Sequence, residues 1–207
     1  MKKRSMLNLH FPLFSKFENI IKLVFILLIF GQAVLAQQVP DTAFAINIDK
    51  PRYFEEGPII AIDGGHNNFH QINSGFNAFA RLMQADGYIT DQIIEIDQAN
   101  LEYIDILVIA NPIHESNLNN WKLPTPSAFS ETEISSIKNW VNDGGKLLLI
   151  ADHMPFSGAA QKLAKSFDVE YANGFSISGT DGWPPDLYTK NGGELKSNLF
   201  TENIDSL

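Results

Sequence analysis

Beyond residue 36 the chain carries four histidines, His66, His70, His114 and His153, and each comes shortly after a run of apolar residues. Three of these places resemble one another: Ile60-Ala61-Ile62-Asp63 leads to His66, Ile109-Ala110-Asn111 to His114, and Ile150-Ala151-Asp152 to His153. Imidazole and carboxylate together support two kinds of chemistry. A histidine held by an aspartate is a general acid or base. Several such groups around one point bind a divalent ion such as Zn²⁺ and leave a position open for water.

Both readings stay open. His66, His114, Asp152 and His153 are the catalytic candidates, and Asp63, His66, His114, Asp152 and His153 the candidate metal ligands. Asn67, Asn111, Glu115 and Trp121 stand next to them as candidate substrate contacts. Spacing does not decide between the readings, because no HExxH or comparable helical ligand pair occurs. Taken singly, each residue has an ordinary explanation, since Asp and Asn at strand ends form turns and caps. Taken together they share one rim, which turn chemistry does not account for.

The elements that must position this rim alternate as βα units. Ile59-Ile60-Ala61-Ile62, Ile106-Leu107-Val108-Ile109-Ala110 and Leu147-Leu148-Leu149-Ile150-Ala151 are short unbroken apolar runs, as expected of parallel strands buried on both faces. A weaker, alternating strand between Tyr88 and Ile96 is expected at a sheet edge. Phe76, Phe79, Ala80 and Met83 recur at helical spacing, with Ser74 as the expected cap and Gly87 as the stop. Ser130-Glu131-Thr132-Glu133 is a capping box that opens a helix burying Ile134, Ile137 and Val141. A last helix carries Ala160, Leu163, Ala164 and Phe167 on one stripe. In such a sheet, ligands bind beyond the carboxyl ends of the strands, at the point where strand order reverses. Residues 117–129, with Trp121, are long for a connection and suit a lid or substrate wall. Trp183 offers a second aromatic contact.

Composition narrows the partners. The 207 residues include no cysteine, so disulfides, thiolate metal sites and a cysteine nucleophile are excluded. Residues 1–36 combine early basic residues, the apolar run Leu23–Phe30 and a small-residue exit at Ala33–Ala36, the pattern of a secretory signal peptide. The apolar run is short of the ~20 residues of a spanning helix, so no stable membrane span is expected after cleavage. Export to the periplasm or the extracellular space follows. The formal charge is −9 and five of the six charged residues in 1–36 are basic, so the exported part is more acidic still. Nucleic acid is a poor partner for it. No Lys or Arg lies in 63–73, 111–117 or 151–158, which argues against a phosphate cradle at Gly64-Gly65.

The string Ile62-Asp63-Gly64-Gly65-His66 resembles the opening of zinc-dependent cell-wall amidases, but the glutamate expected to follow is absent from residues 67–94. A wider resemblance covers residues 58 to about 180. Ala61–Asn68, Ile109-Ala110-Asn111, Leu123–Phe129 and Ile150–Phe156 are similar to segments of an exported bacterial family of uncharacterised activity within the class I glutamine amidotransferase-like superfamily. This resemblance implies an α/β, flavodoxin-like three-layer sandwich with a mostly parallel sheet. It also implies that Asp152-His153 stands where true amidotransferases place their nucleophilic cysteine, so glutaminase activity is not expected.

The sequence therefore divides into a signal peptide at 1–36, a lead-in at 37–57 and a single α/β domain at 58–207. The leading expectation is an exported hydrolase with a His/Asp site at the strand ends, with or without a divalent metal such as Zn. The alternative is a non-catalytic domain that binds a saccharide or peptide through Trp121 and Trp183.

Overall fold

A computed structural model describes residues 41, 43, 46–54, 56–176 and 187–206. Residues 1–36, for which a signal peptide is expected, and Trp183 lie outside the described residues. Pro40–Leu207 forms one compact unit. Its elements run β1 (Ile59–Asp63), α1 (Asn77–Ala85), β2 (Ile89–Ile93), α2 (Gln98–Glu102), β3 (Ile106–Ala110), α3 (Glu131–Asn142), β4 (Lys146–Ile150) and α4 (Phe156–Lys165). The four strands make one parallel sheet in the order β2-β1-β3-β4. This is the doubly wound, flavodoxin-like order, and its reversal falls between β1 and β3.

The register sorts the side chains by face. Ala61 of β1 lies beside Leu107 of β3, and Ile62 beside Val108. Ala61, Leu107 and Ile109 pack with Leu101, Ile134, Ile137 and Leu163, so α2, α3 and α4 cover one face. Ile60, Ile62 and Val108 pack against Ala80, Phe76 and Met83, so α1 covers the other. Ile137 and Leu163 are wholly buried, and each such side chain contributes about 1.5–3 kcal/mol.

Two expectations need correction, and one helix is additional. Ser74 does not cap α1: the helix starts at Asn77 with no side-chain cap, and the Ser74 hydroxyl instead closes a turn with Gln71. The run ending at Ile150 is not a buried strand. The strand order puts β4 at an edge, where Leu148 is 44% exposed. Helix α2 has no counterpart in the sequence reading; it has five residues, buries only Leu101, and is started by Asp97 accepting from the Asn100 N–H. The capping box at Ser130 and the stop at Gly87, whose φ is +90°, are both present.

Candidate functional site

Asp63 is the last residue of β1, and its side chain is completely buried. A buried carboxylate needs donors, and three converge on it. Oδ1 accepts from the Gly65 N–H at 2.8 Å. Oδ2 accepts from His66 Nδ1 at 2.8 Å and from Asn68 Nδ2 at 2.7 Å. The loop can turn this tightly because residue 65 is glycine: a Cβ there would meet the Ile94 backbone carbonyl.

The other nitrogen of His66, Nε2, lies 3.1 Å from Oε1 of Glu133 in the first turn of α3. Glu133 Oε2 in turn accepts from the Ser130 N–H at 2.8 Å and the Ser130 hydroxyl at 2.7 Å. The imidazole is thus bridged between two carboxylates, with its ring 4.4 Å from that of Phe129. A neutral imidazole has one N–H and can donate to only one of them, whereas the imidazolium donates to both. Burial alone would lower the His66 pKa, but the hydrogen bonds and charges of Asp63 and Glu133 outweigh it and hold it above the ordinary value. For Glu133, burial pushes upward, while the Ser130 and His66 bonds outweigh it and hold its carboxyl below the usual range.

Two asparagines tie the strand ends together. Asn68 Oδ1 accepts from the Ala110 N–H at 3.2 Å, joining the β1 loop to the end of β3. Asn111 has φ +56°, a left-handed conformation that asparagine tolerates better than most residues. Its N–H donates to the Ile150 carbonyl at 2.9 Å, its Oδ1 accepts from the Asp152 N–H at 3.2 Å, and its carbonyl accepts from the Phe69 N–H at 3.1 Å. Asn111 is therefore a buried strut between the ends of β1, β3 and β4. Asn67, also left-handed at φ +49°, donates from Nδ2 to the Ile113 carbonyl at 3.3 Å.

A second cluster stands at the end of β4. His153 donates from Nδ1 to the Met154 carbonyl at 2.8 Å, which leaves Nε2 as the acceptor of the neutral ring. Around it are Phe175 at 4.9 Å, Phe156 at 5.4 Å and Trp121 at 5.7 Å, measured between ring centroids. Asp152 beside it uses Oδ1 to accept from the His153 N–H at 2.8 Å. Trp121 rides on a loop wound about Asn117, whose buried Nδ2 faces the carbonyls of Asn120, Lys122 and Pro124 at 3.0, 3.0 and 3.3 Å.

The proposed five-residue metal set does not assemble. Among the described residues, no group of three or more His, Asp or Glu side chains is placed to hold a metal ion. The reason lies in how each donor is used. Asp63 is committed to His66, Asn68 and Gly65; His114 Nδ1 caps a 3₁₀ turn at Glu115–Asn117 through Ser116; His153 Nδ1 faces a carbonyl. His114 and the exposed Glu115 join neither cluster, and His70 stacks on Phe76. Glu133, Asn117 and Phe175 are residues of these clusters that no motif in the sequence singles out as site members. Glu133 was legible only as half of a capping box, because its histidine partner is 67 positions away in the chain.

Two grooves lie elsewhere and hold none of these groups. One, about 490 Å³, runs between α2 and α3 past Gln98, Glu102, Asn139 and Trp140. The other, about 330 Å³, is an apolar hollow along β4 that includes Leu148, Phe167 and Tyr171. No protein-family model matches the chain, and no curated protein is significantly similar to it.

Proposed function

We propose that the chain is an exported hydrolase in which His66 and Glu133 form an acid–base pair and Asp63 orients the imidazole. The observation that carries this reading is the 3.1 Å contact between His66 Nε2 and Glu133 Oε1. It sits beside the reversal point of the sheet, and it leads from a fully buried aspartate to a glutamate whose side chain is 27% exposed. A water or substrate oxygen entering between the two meets a donor and an acceptor at once. Glu133 takes the proton of the attacking water as the water's oxygen bonds to the electrophilic centre. His66 gives its Nε2 proton to the departing oxygen or nitrogen as the scissile bond breaks. Proton return from Glu133 to His66 across the same contact restores the resting pair. While the pair is closed, each charge stabilises the other and weakens both as catalysts; entry of substrate separates them and brings the two pKa values back toward each other.

The segment at residues 1–36 supports export, and no helix among the described residues is long and apolar enough to cross a membrane. The same proposal includes membership of the amidotransferase-like exported family, with Asp152-His153 at the cysteine position and hence no glutaminase activity. Activity of the chain lacking residues 1–36 toward ester, glycoside and amide chromogenic substrates tests it. Turnover of one class that falls at least a hundredfold in both His66→Ala and Glu133→Gln supports the proposal. Equal turnover in wild type and both variants, with the variants folded, sinks it.

A non-catalytic binding domain is the second reading, and the exposed rings around His153 favour it. They point to a ligand class whether or not the chain is an enzyme.

A further inference from the structure

The rings at the end of β4 are placed unlike a packed core. Phe156 is buried, but Trp121 is 45% and Phe175 58% exposed. Three of the ring contacts are tilted rather than perpendicular, at 31° for His153 with Phe175, 39° for His153 with Phe156 and 51° for Trp121 with His153. Trp121 also meets Phe156 edge to face at 76°, so the two exposed rings and His153 make one aromatic surface around the buried Phe156. Phe69, with its ring 6.1 Å from Phe156, extends that surface toward the His66 loop.

The backbone beside each half-exposed ring is tied down. Trp121 is positioned by the carbonyls gathered on Asn117. Phe175 follows Gly174, whose carbonyl accepts from the Met154 N–H at 3.0 Å, and Asn173, whose Nδ2 donates to Thr125 Oγ1 at 2.6 Å. Ordered aromatic faces cost little further entropy when a ligand arrives.

The polar groups at this surface are acceptors. Asp152 presents an exposed carboxylate, and His153 keeps Nε2 as an acceptor because Nδ1 faces a carbonyl. No Lys or Arg occurs in 63–73, 111–117 or 151–158, and the one Lys or Arg in the loops that follow β1, β3 and β4 is Lys122, beside Trp121. The matching ligand has hydroxyl donors at its edge and a face of weakly positive C–H groups to lie on negative ring faces. A pyranose ring has both.

We propose that Trp121, His153 and Phe175 form a saccharide-binding subsite, with Asp152 as acceptor for ring hydroxyls. Binding stands on this geometry alone; the further step, that the saccharide is the substrate, rests on the hydrolase reading above.

The test uses the chain lacking residues 1–36, titrated with chitotetraose, cellotetraose and maltotetraose by calorimetry and tryptophan fluorescence. At least one tetrasaccharide is expected to bind with Kd on the order of 1 mM or tighter. Trp121→Ala and Phe175→Ala are each expected to weaken it about tenfold. Trp121→Phe, which keeps a ring, should retain most of the affinity, and Trp140→Phe, on the far side of α3, should leave it unchanged. Phe175 is largely solvent-exposed, so its truncation keeps the proposal testable if the Trp121 variant does not fold. No binding by any of the three overturns the proposal, as does binding indifferent to Trp121 and Phe175, or tetramethylammonium binding in their place. Saccharide binding without turnover removes the hydrolase reading and keeps this one. Turnover of a non-saccharide substrate without tetrasaccharide binding does the reverse.

Discussion

Replacing Asp63 by asparagine tests the buried centre with almost no change of shape. The aspartate accepts three hydrogen bonds, from Gly65, His66 and Asn68 at 2.8, 2.8 and 2.7 Å. Asparagine keeps one acceptor oxygen and puts an NH₂ in place of the other. With the oxygen toward His66 and Asn68, the NH₂ meets the Gly65 N–H. With the amide reversed, it meets the Asn68 NH₂, which cannot flip because Asn68 Oδ1 is already held by the Ala110 N–H. Either way at least one buried donor is left without an acceptor, at a cost of about 1–3 kcal/mol. The bond to His66 also loses the carboxylate half of its ion pair, which adds about 1 kcal/mol while His66 is protonated. The expected loss is therefore about 2–4 kcal/mol, read as a fall of about 1–2 M in the urea midpoint at unchanged m. It should shrink by about 1 kcal/mol at pH values above the raised pKa of His66, where the wild type has itself lost the charge. A loss below about 0.5 kcal/mol, or one that grows as pH rises, refutes the bridged imidazolium.

Other outcomes follow from the same contacts. The His66–Glu133 contribution to stability has a defined pH window. Because the folded pKa of His66 is raised, its share is complete below the ordinary 6.5 and is lost as pH rises through the folded value. Because that of Glu133 is lowered, its share is complete above 4.5 and is lost as pH falls through the folded value. The melting-temperature gap between wild type and Glu133→Gln should be widest between these limits; a gap that does not vary with pH contradicts it. Ser130→Ala removes the hydroxyl that donates to Glu133 at 2.7 Å and accepts from its N–H at 3.2 Å, and should cost about 0.5–2 kcal/mol in chemical unfolding. Asn117→Ala frees three loop carbonyls, so limited proteolysis should cut residues 118–124 faster while global stability falls by about 1–3 kcal/mol.

The strands β1 and β3 were legible because central parallel strands must be apolar on both faces, and Ile60–Ile62 and Leu107–Ala110 are. Leu147–Ile150 has the same composition at an edge, since composition reports the preference for burial and not the number of neighbours. Helix α2 is too short to show a period. At the site, the aspartate–histidine pair of Asp63 and His66 was legible because it is local, three positions apart. The gathering of all five candidate ligands was not, because strand adjacency brings loops near each other without aiming their side chains. His114 and His153 satisfy nearby hydroxyl and carbonyl groups instead, a local choice that spacing does not encode. Glu133 reaches His66 only through the packing of α3 on the sheet, so its second role appears only once the fold is assembled.

The central claim is that His66 is an imidazolium shared by Asp63 and Glu133, poised to give and regain a proton at Nε2. Imidazole ¹⁵N chemical shifts followed across pH, in wild type and Glu133→Gln, test this most directly. His66 is expected to titrate above 6.5 in the wild type, Nδ1 to keep its proton when the ring becomes neutral, and Glu133→Gln to move the midpoint down. A midpoint at or below 6.5, or one that Glu133→Gln leaves in place, contradicts it.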